Sequence, residues 1–189
     1  MHIILLAALT LIPLAAQSQE LGLLLGTLRG AGTPALDSGT ALQANYAHRF
    51  ATVGPVRLFA AVNFLANPQR KVTSLNPIVI RDLASLYVTP ELKVKLGTGR
   101  VQPYAFLGAG LAVYEHSTLT TGGQPNPGPR TSNTGAVTYG AGVDIAIIKW
   151  LGLRGEFRDN YSGAPVFNIP TGKRHNNSIS GGFVLRWGN

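Results

Sequence analysis

The stretch LGLRGEFR, residues 151–158, sorts its side chains by alternate positions. Leu151, Leu153, Gly155 and Phe157 fall on one side; Gly152, Arg154, Glu156 and Arg158 fall on the other. A period of two is that of a β-strand with one apolar and one ionic face. In a soluble sheet the ions face water on the outside. In a barrel that crosses a membrane they face a wet lumen, and the apolar side meets lipid. The rest of the chain decides between the two.

The chain has 189 residues and no long linker, which implies one domain. Charged residues make up 13%, about half the share usual in soluble globular proteins. No apolar run approaches the ~20 residues of a membrane helix. Low charge without a spanning helix favours a barrel. Glycine and proline are frequent while Glu, Lys and Met are scarce, so an all-β chain is expected. The absence of cysteine excludes disulfides, thiolate chemistry and Cys-type zinc sites. The net charge is +8, but the cations do not cluster as a recognition helix requires, so nucleic acid is not an expected partner. Anionic lipid head groups and saccharide phosphates fit the charge better. Residues 1–18 read as a secretory signal peptide, with an apolar core from Ile3 to Ala16 and a small-x-small site at Ala16-Gln17-Ser18. They depart from the usual pattern in having no Lys or Arg before the core. The barrel domain then runs 19–189.

Eight strands are predicted, over 20–29, 40–50, 56–66, 84–96, 101–115, 135–147, 151–161 and 177–187. In the fourth, Leu86, Val88, Leu92 and Val94 oppose Tyr87, Glu91, Lys93 and Lys95. The first, ELGLLLGTLR, alternates poorly. The connections 30–39, 67–83, 116–134 and 162–176 are long and rich in Gly, Pro, Asn and Thr. The connections 51–55, 97–100 and 148–150 are short. Alternating short periplasmic turns and longer external loops are the pattern of an outer-membrane barrel. The expected fold is therefore an eight-stranded antiparallel up-and-down transmembrane β-barrel. On its apolar faces the only ions are Arg29 and Asp159, both near strand ends. The opposite faces carry Arg49, Arg57, Glu91, Lys93, Lys95, Asp144, Arg154, Glu156, Arg158 and Arg186, expected to pair as a lumen network because an unpaired buried ion is costly. Gly108, Gly110 and Ala112 would give that network room. Tyr46, Phe50, Tyr139, Phe157 and Trp187 are candidates for interfacial girdles. Pro90 calls for a bulge or an early strand end. Arg70, Lys71, Arg81, Arg130, Lys173 and Arg174 are read as basic residues of the external loops.

The segments PYAFLGAGLAVY (103–114), YGAGVDI (139–145), LGLRGEFRDN (151–160) and SISGGFVLRW (178–187) resemble the small outer-membrane β-barrel superfamily, the OmpA/OmpX-like proteins. The resemblance spans the mature chain through alternation and glycine patterns, not through chemical signatures. It implies a bacterial outer-membrane protein, monomeric and without cofactor. Its partners would be outer-membrane lipid, lipopolysaccharide and the barrel-assembly machinery. That machinery commonly reads a terminal aromatic residue; here Trp187 is followed by Gly188 and Asn189.

The implied role is non-enzymatic: structural, interaction-based or weakly porin-like. One alternative is a soluble secreted lipocalin-like barrel binding a small apolar ligand. Another is a lipid-modifying outer-membrane hydrolase, since lipid A deacylases of this shape use a Ser-His-acid set at the lipid face. Glu115-His116-Ser117, or His175 with Ser178, would be the candidates for that chemistry, but neighbours in a strand point to opposite faces. The histidines at 2, 48, 116 and 175 lack ligand spacing, so no metal is expected. Gly108-Ala109-Gly110 lacks the third glycine and the helix of a dinucleotide loop.

Overall fold

A computed structural model describes residues 18–30 and 35–188. Eight strands form: β1 (Gln19–Gly30), β2 (Ala35–Val53), β3 (Val56–Thr73), β4 (Asp82–Leu96), β5 (Val101–His116), β6 (Thr131–Ala146), β7 (Leu151–Ser162) and β8 (Arg174–Trp187). Each pairs antiparallel with the next, and β8 closes onto β1, with Gln19 opposite Trp187 and Gly30 opposite Asn176. Closure leaves no open edge, so every strand has partners on both sides. Apart from Ser18, the predicted signal peptide lies outside the described residues.

The expected pattern of strands and turns is present, with corrections at the loop end. Residues 30–39 are not a long connection. The β1–β2 ladder runs out to Gly30 opposite Leu36, and residues 31–34 alone join the strands. β3 likewise continues past 66 to Thr73, with a register shift between Asn67 and Arg70 that takes up Pro68 and Gln69. Asp37-Ser38-Gly39 and Asn67-Pro68-Gln69 are turn-like in composition, but ladder hydrogen bonds to a neighbouring strand override that weak local preference. The long connections that remain are 74–81, 117–130 and 163–173; the short ones are 54–55, 97–100 and 147–150.

Pro90 is also accommodated differently from expectation. β4 neither bulges nor ends there. Its ladder with β5 lapses at Thr89 and Pro90 and resumes in the same register, with Val88 opposite Leu111 and Glu91 opposite Gly108. The ring points outward, and Gly110 lets β5 draw close: a Cβ there would stand 2.0 Å from the Val88 carbonyl oxygen. A missing donor is tolerated where the facing strand carries no side chain in the way.

The faces settle the question raised by residues 151–158. Leu153 and Phe157 are 44% and 47% exposed, whereas Arg154, Glu156 and Arg158 are 2%, 4% and 0% exposed. Hydrocarbon clothes the outside: Leu23, Leu25, Phe64, Leu107, Ile179 and Phe183 all stand out from the wall. On β3 the outward positions from Val56 to Ala66 make an apolar band. At about 3.3 Å per residue and a tilt of about 40°, it is about 25 Å tall, the height of a lipid-facing belt. Tyr46, Phe50, Trp150 and Trp187 rim the short-turn end of the belt, and the Tyr46 hydroxyl and Trp187 Nε1 both donate to Gln19 Oε1, at 3.1 and 2.9 Å. Tyr139 lies towards the loop end. Phe157, grouped with these by sequence, instead stands in mid-belt between Ala141 and Ile179.

The interior has two parts. From the short-turn end to mid-barrel it is ionic. At the loop end it becomes an apolar cluster of Leu28, Leu36, Leu65, Leu83, Tyr87 and Tyr114, packed beneath Val79 and Ile80 of the 74–81 connection and Phe167 of the 163–173 connection.

Candidate functional site

The lumen is held by two groups of ions that meet at Tyr104. The first centres on Asp144 of β6 and Glu20 of β1. Asp144 accepts from Arg154 Nε and Nη2 at 2.7 and 2.8 Å, from Lys95 Nζ at 2.6 Å and from Arg186 Nη2 at 3.0 Å. Glu20 takes Arg154 Nη2 at 2.9 Å and pairs with Lys95 as well. The second group centres on Arg158 of β7, which bonds Glu91 through Nη1 and Nη2 and Glu156 through Nε and Nη2. Gln43 donates to Glu156 Oε1 at 2.6 Å and the Tyr104 hydroxyl donates to Glu156 Oε2 at 2.8 Å. Arg154 lies 5.0 Å from the Tyr104 ring centre on one side of this junction, and Arg158 lies 4.1 Å from that of Phe106. Lys93 donates to Asn45 Oδ1 at 2.6 Å, which also accepts from Arg154 Nη1 at 3.2 Å.

These contacts are charge-assisted, several are bidentate, and they occur where water is excluded, so each carboxylate fixes two or more strands at once. Room comes from glycines opposite the long side chains. A Cβ at Gly142 would stand 2.4 Å from the Tyr104 ring, and one at Gly22 would stand 2.9 Å from Arg154 Nη1.

Of the residues expected to share the lumen, Glu91, Lys93, Lys95, Asp144, Arg154, Glu156 and Arg158 face inward and meet there. Arg49, Arg57 and Arg186 lie at the short-turn mouth, where Arg57 caps the Gly97 carbonyl and Arg186 reaches in to join Asp144 and Glu20. Sequence reasoning missed Glu20, Gln43, Asn45 and Tyr104. The usable signal for Glu20 was the small-residue set Gly22 and Gly26 in phase with it, hidden by the leucines on both faces of β1.

The basic residues assigned to the external loops divide. Lys71, Arg81, Arg130 and Lys173 are exposed, with Arg81 paired to Asp82 and Arg130 to Glu115, each at 2.9 Å; Lys71, however, stands on the outer face of β3 and not in a loop. Arg70 and Arg174 are not loop residues: they lie in β3 and β8, 1% and 5% exposed. Their strands run further than the turn-like sequence suggested and carry them inside. Arg29 is exposed on the outer wall at the loop end of β1. Asp159 faces outward but is covered, accepting from Tyr139 Oη at 2.7 Å and pairing with His175 Nδ1 at 2.6 Å.

The catalytic candidates do not converge. Glu115 faces Arg130 outside, and His116 turns inward, its Nδ1 2.8 Å from the Pro129 carbonyl and its Nε2 3.3 Å from Ser132 Oγ. His116 ends β5 beyond the apolar band, and burial holds its imidazole below its ordinary pKa. The Ser117 hydroxyl donates to the Leu119 carbonyl and accepts from the Arg81 and Asp82 amides. His175 faces out while Ser178 faces in. Among the described residues no cluster of His, Asp and Glu could hold a metal ion. An apolar ligand of the lipocalin kind would meet ions through most of the bore.

No family model and no curated protein matches the chain. Solved structures do. Neisserial surface protein A superposes with a TM-score of 0.61 at 14% identity, over 92% of this chain and 98% of that one. The outer membrane enzyme PagL gives 0.55 at 15%, over 88% and 98%. Ail, the attachment invasion locus protein of Yersinia pestis, in complex with the heparin analogue sucrose octasulfate, gives 0.51 at 15%, over 89% and 97%. The chain has the fold of the small eight-stranded outer-membrane β-barrels.

Proposed function

From the fold of a small outer-membrane barrel, we propose that this protein sits in a bacterial outer membrane as a non-conducting, non-enzymatic scaffold. Its exposed loop-end cations Lys71, Arg81, Arg130 and Lys173 would engage the anionic saccharides of lipopolysaccharide. One observation carries the reading: Arg158 is clamped between Glu91 and Glu156 across mid-lumen, beneath an apolar lid. An eight-stranded bore is narrow enough for side chains to fill, and here Arg158, Glu91 and Glu156 meet across its middle. Function is thereby displaced to the outer surface, where loops on a rigid scaffold do the recognising. Ail's complex with a sulfated sugar supports an anionic saccharide as the ligand class. PagL keeps the hydrolase alternative in view, but neither candidate set here brings a nucleophile to a histidine.

The test uses the refolded barrel in nanodiscs. Lipopolysaccharide should bind and raise the melting temperature, and changing Lys71, Arg81, Arg130 and Lys173 together to Gln should weaken binding and flatten its salt dependence. Equal binding by the variant would remove the loop-end cations from the role. Current steps of wild type in planar bilayers would replace the scaffold reading with the porin-like one.

A further inference from the structure

Among the described residues the buried end of Arg70 has no counter-ion, and the geometry points to a halide site beside it. Arg70 is 1% exposed and points into the barrel at the loop end. Its Nη1 donates to Asn176 Oδ1 at 3.1 Å and the neutral Tyr87 hydroxyl lies beside the guanidinium, while Nε and Nη2 are left without a close acceptor. The groups that bear on its charge are the phenols of Tyr87 and Tyr114 and the guanidinium of Arg174. By register, Asn176 sits opposite Asn160 and Ser178 opposite Arg158, so Asn176 stands one rung beyond the last ion pair. Room for the arginine is built in. A Cβ at Gly39 would stand 2.5 Å from Arg70 Cγ, and one at Gly30 would stand 3.0 Å from Nη1.

Two like charges bear on each other here, Arg174 stacked on Phe167 at 4.8 Å and Arg70 held between Leu36 and the neutral amides of Asn67 and Asn176. An uncompensated buried cation costs several kcal/mol. A water molecule could accept the orphaned N–H groups but would leave the charge. An anion answers both. Two buried hydroxyls of the loop half of the lumen also meet no partner, Ser178 on the rung of Arg158 and Ser85 opposite Tyr114. The two adjacent donors of one guanidinium edge, Nε and Nη2, suit a single spherical monovalent ion. They are too few for the oxygens of phosphate or sulfate. The occupant is therefore a halide, chloride in the first instance, held as an internal counter-ion beneath Val79, Ile80 and Phe167.

The experiment melts the refolded full barrel in a series of sodium chloride and sodium gluconate at constant total salt. Wild type should gain stability with chloride; above the dissociation constant, each tenfold rise multiplies the folded-to-unfolded ratio about tenfold. Arg70→Leu, which removes the charge and keeps the bulk, should lose that dependence. Crystals of wild type grown in sodium bromide give a second readout that does not need the variant to fold: an anomalous peak against the Nε–Nη2 edge of Arg70. Chloride-independent melting of wild type, the same dependence in Arg70→Leu, or no bromide peak at Arg70 would each overturn the site.

Discussion

Asp144 and Arg154 stand directly opposite each other on β6 and β7 and are joined by two parallel hydrogen bonds, Nε to Oδ1 at 2.7 Å and Nη2 to Oδ2 at 2.8 Å. The same carboxylate takes Lys95 and Arg186, so one acid ties β4, β6, β7 and β8. Asp144→Asn would leave three cations around a neutral group. Breaking one side of a buried pair costs about 3–5 kcal/mol, whereas replacing both partners with apolar residues is far cheaper. We expect Asp144→Asn to lower the urea midpoint strongly and the double change Asp144→Leu with Arg154→Met to recover much of it. A double variant no better than the single one would mean that the pair acts through specific geometry and not through charge balance.

Gly142 gives a test of packing instead of charge. Its added Cβ would collide with both the ring carbon and the hydroxyl of Tyr104, each at 2.4 Å, and with the Gly155 carbonyl oxygen at 2.6 Å. Gly142→Ala should push Tyr104 off Glu156 and destabilise the barrel by about 1–3 kcal/mol, the usual cost of overpacking. Gly135→Ala is the control, since a Cβ added there would meet nothing within 4 Å. Equal melting temperatures for the two variants would refute the crowding at Tyr104.

His116 supplies a pH dependence with a definite sign. Burial lowers its pKa in the folded state, so the folded protein binds fewer protons than the unfolded chain below about pH 6.5. The stability tied to its neutral form is complete above that value and is lost as pH falls from there towards the lowered folded pKa. Thermal midpoints between pH 8 and 5 should therefore fall less steeply for His116→Gln than for wild type. Parallel curves would show that the ring titrates freely.

Much of this architecture was legible because alternation is strict where it matters. Arg154, Glu156 and Arg158 share a phase with no competing apolar residue, so their face could be read directly. β1 could not be read that way: Leu24 and Leu28 point inward beside Glu20 while Leu23 and Leu25 point outward, and hydrophobicity alone does not separate them. Arg70 and Arg174 were misplaced for a different reason. Each follows a turn-like run, Asn67-Pro68-Gln69 and Pro170-Thr171-Gly172, and only the pairing of distant strands decides that the ladder has already begun, or not yet ended, at those positions. The apolar lid of Val79, Ile80 and Phe167 was illegible for the same cause, since loop residues carry no period to betray what they cover.

The two tryptophans test the inside-out arrangement itself. Trp150 and Trp187 are 56% and 44% exposed, and both lie at the short-turn rim of the apolar band, not in its middle. Indole rings with one wet edge belong at the level of the head groups. In bilayers of brominated lipids, fluorescence should be quenched more by bromine near the glycerol end of the acyl chain than by bromine near its tip. Phe157→Trp, placed in a background with Trp150 and Trp187 changed to Phe, should reverse that order, because position 157 stands in mid-belt beside Ile179. If position 157 were quenched no more by deep bromine than the rim positions are, or if lipid bromine quenched none of the three, the outward hydrocarbon face would not be the face that meets the bilayer.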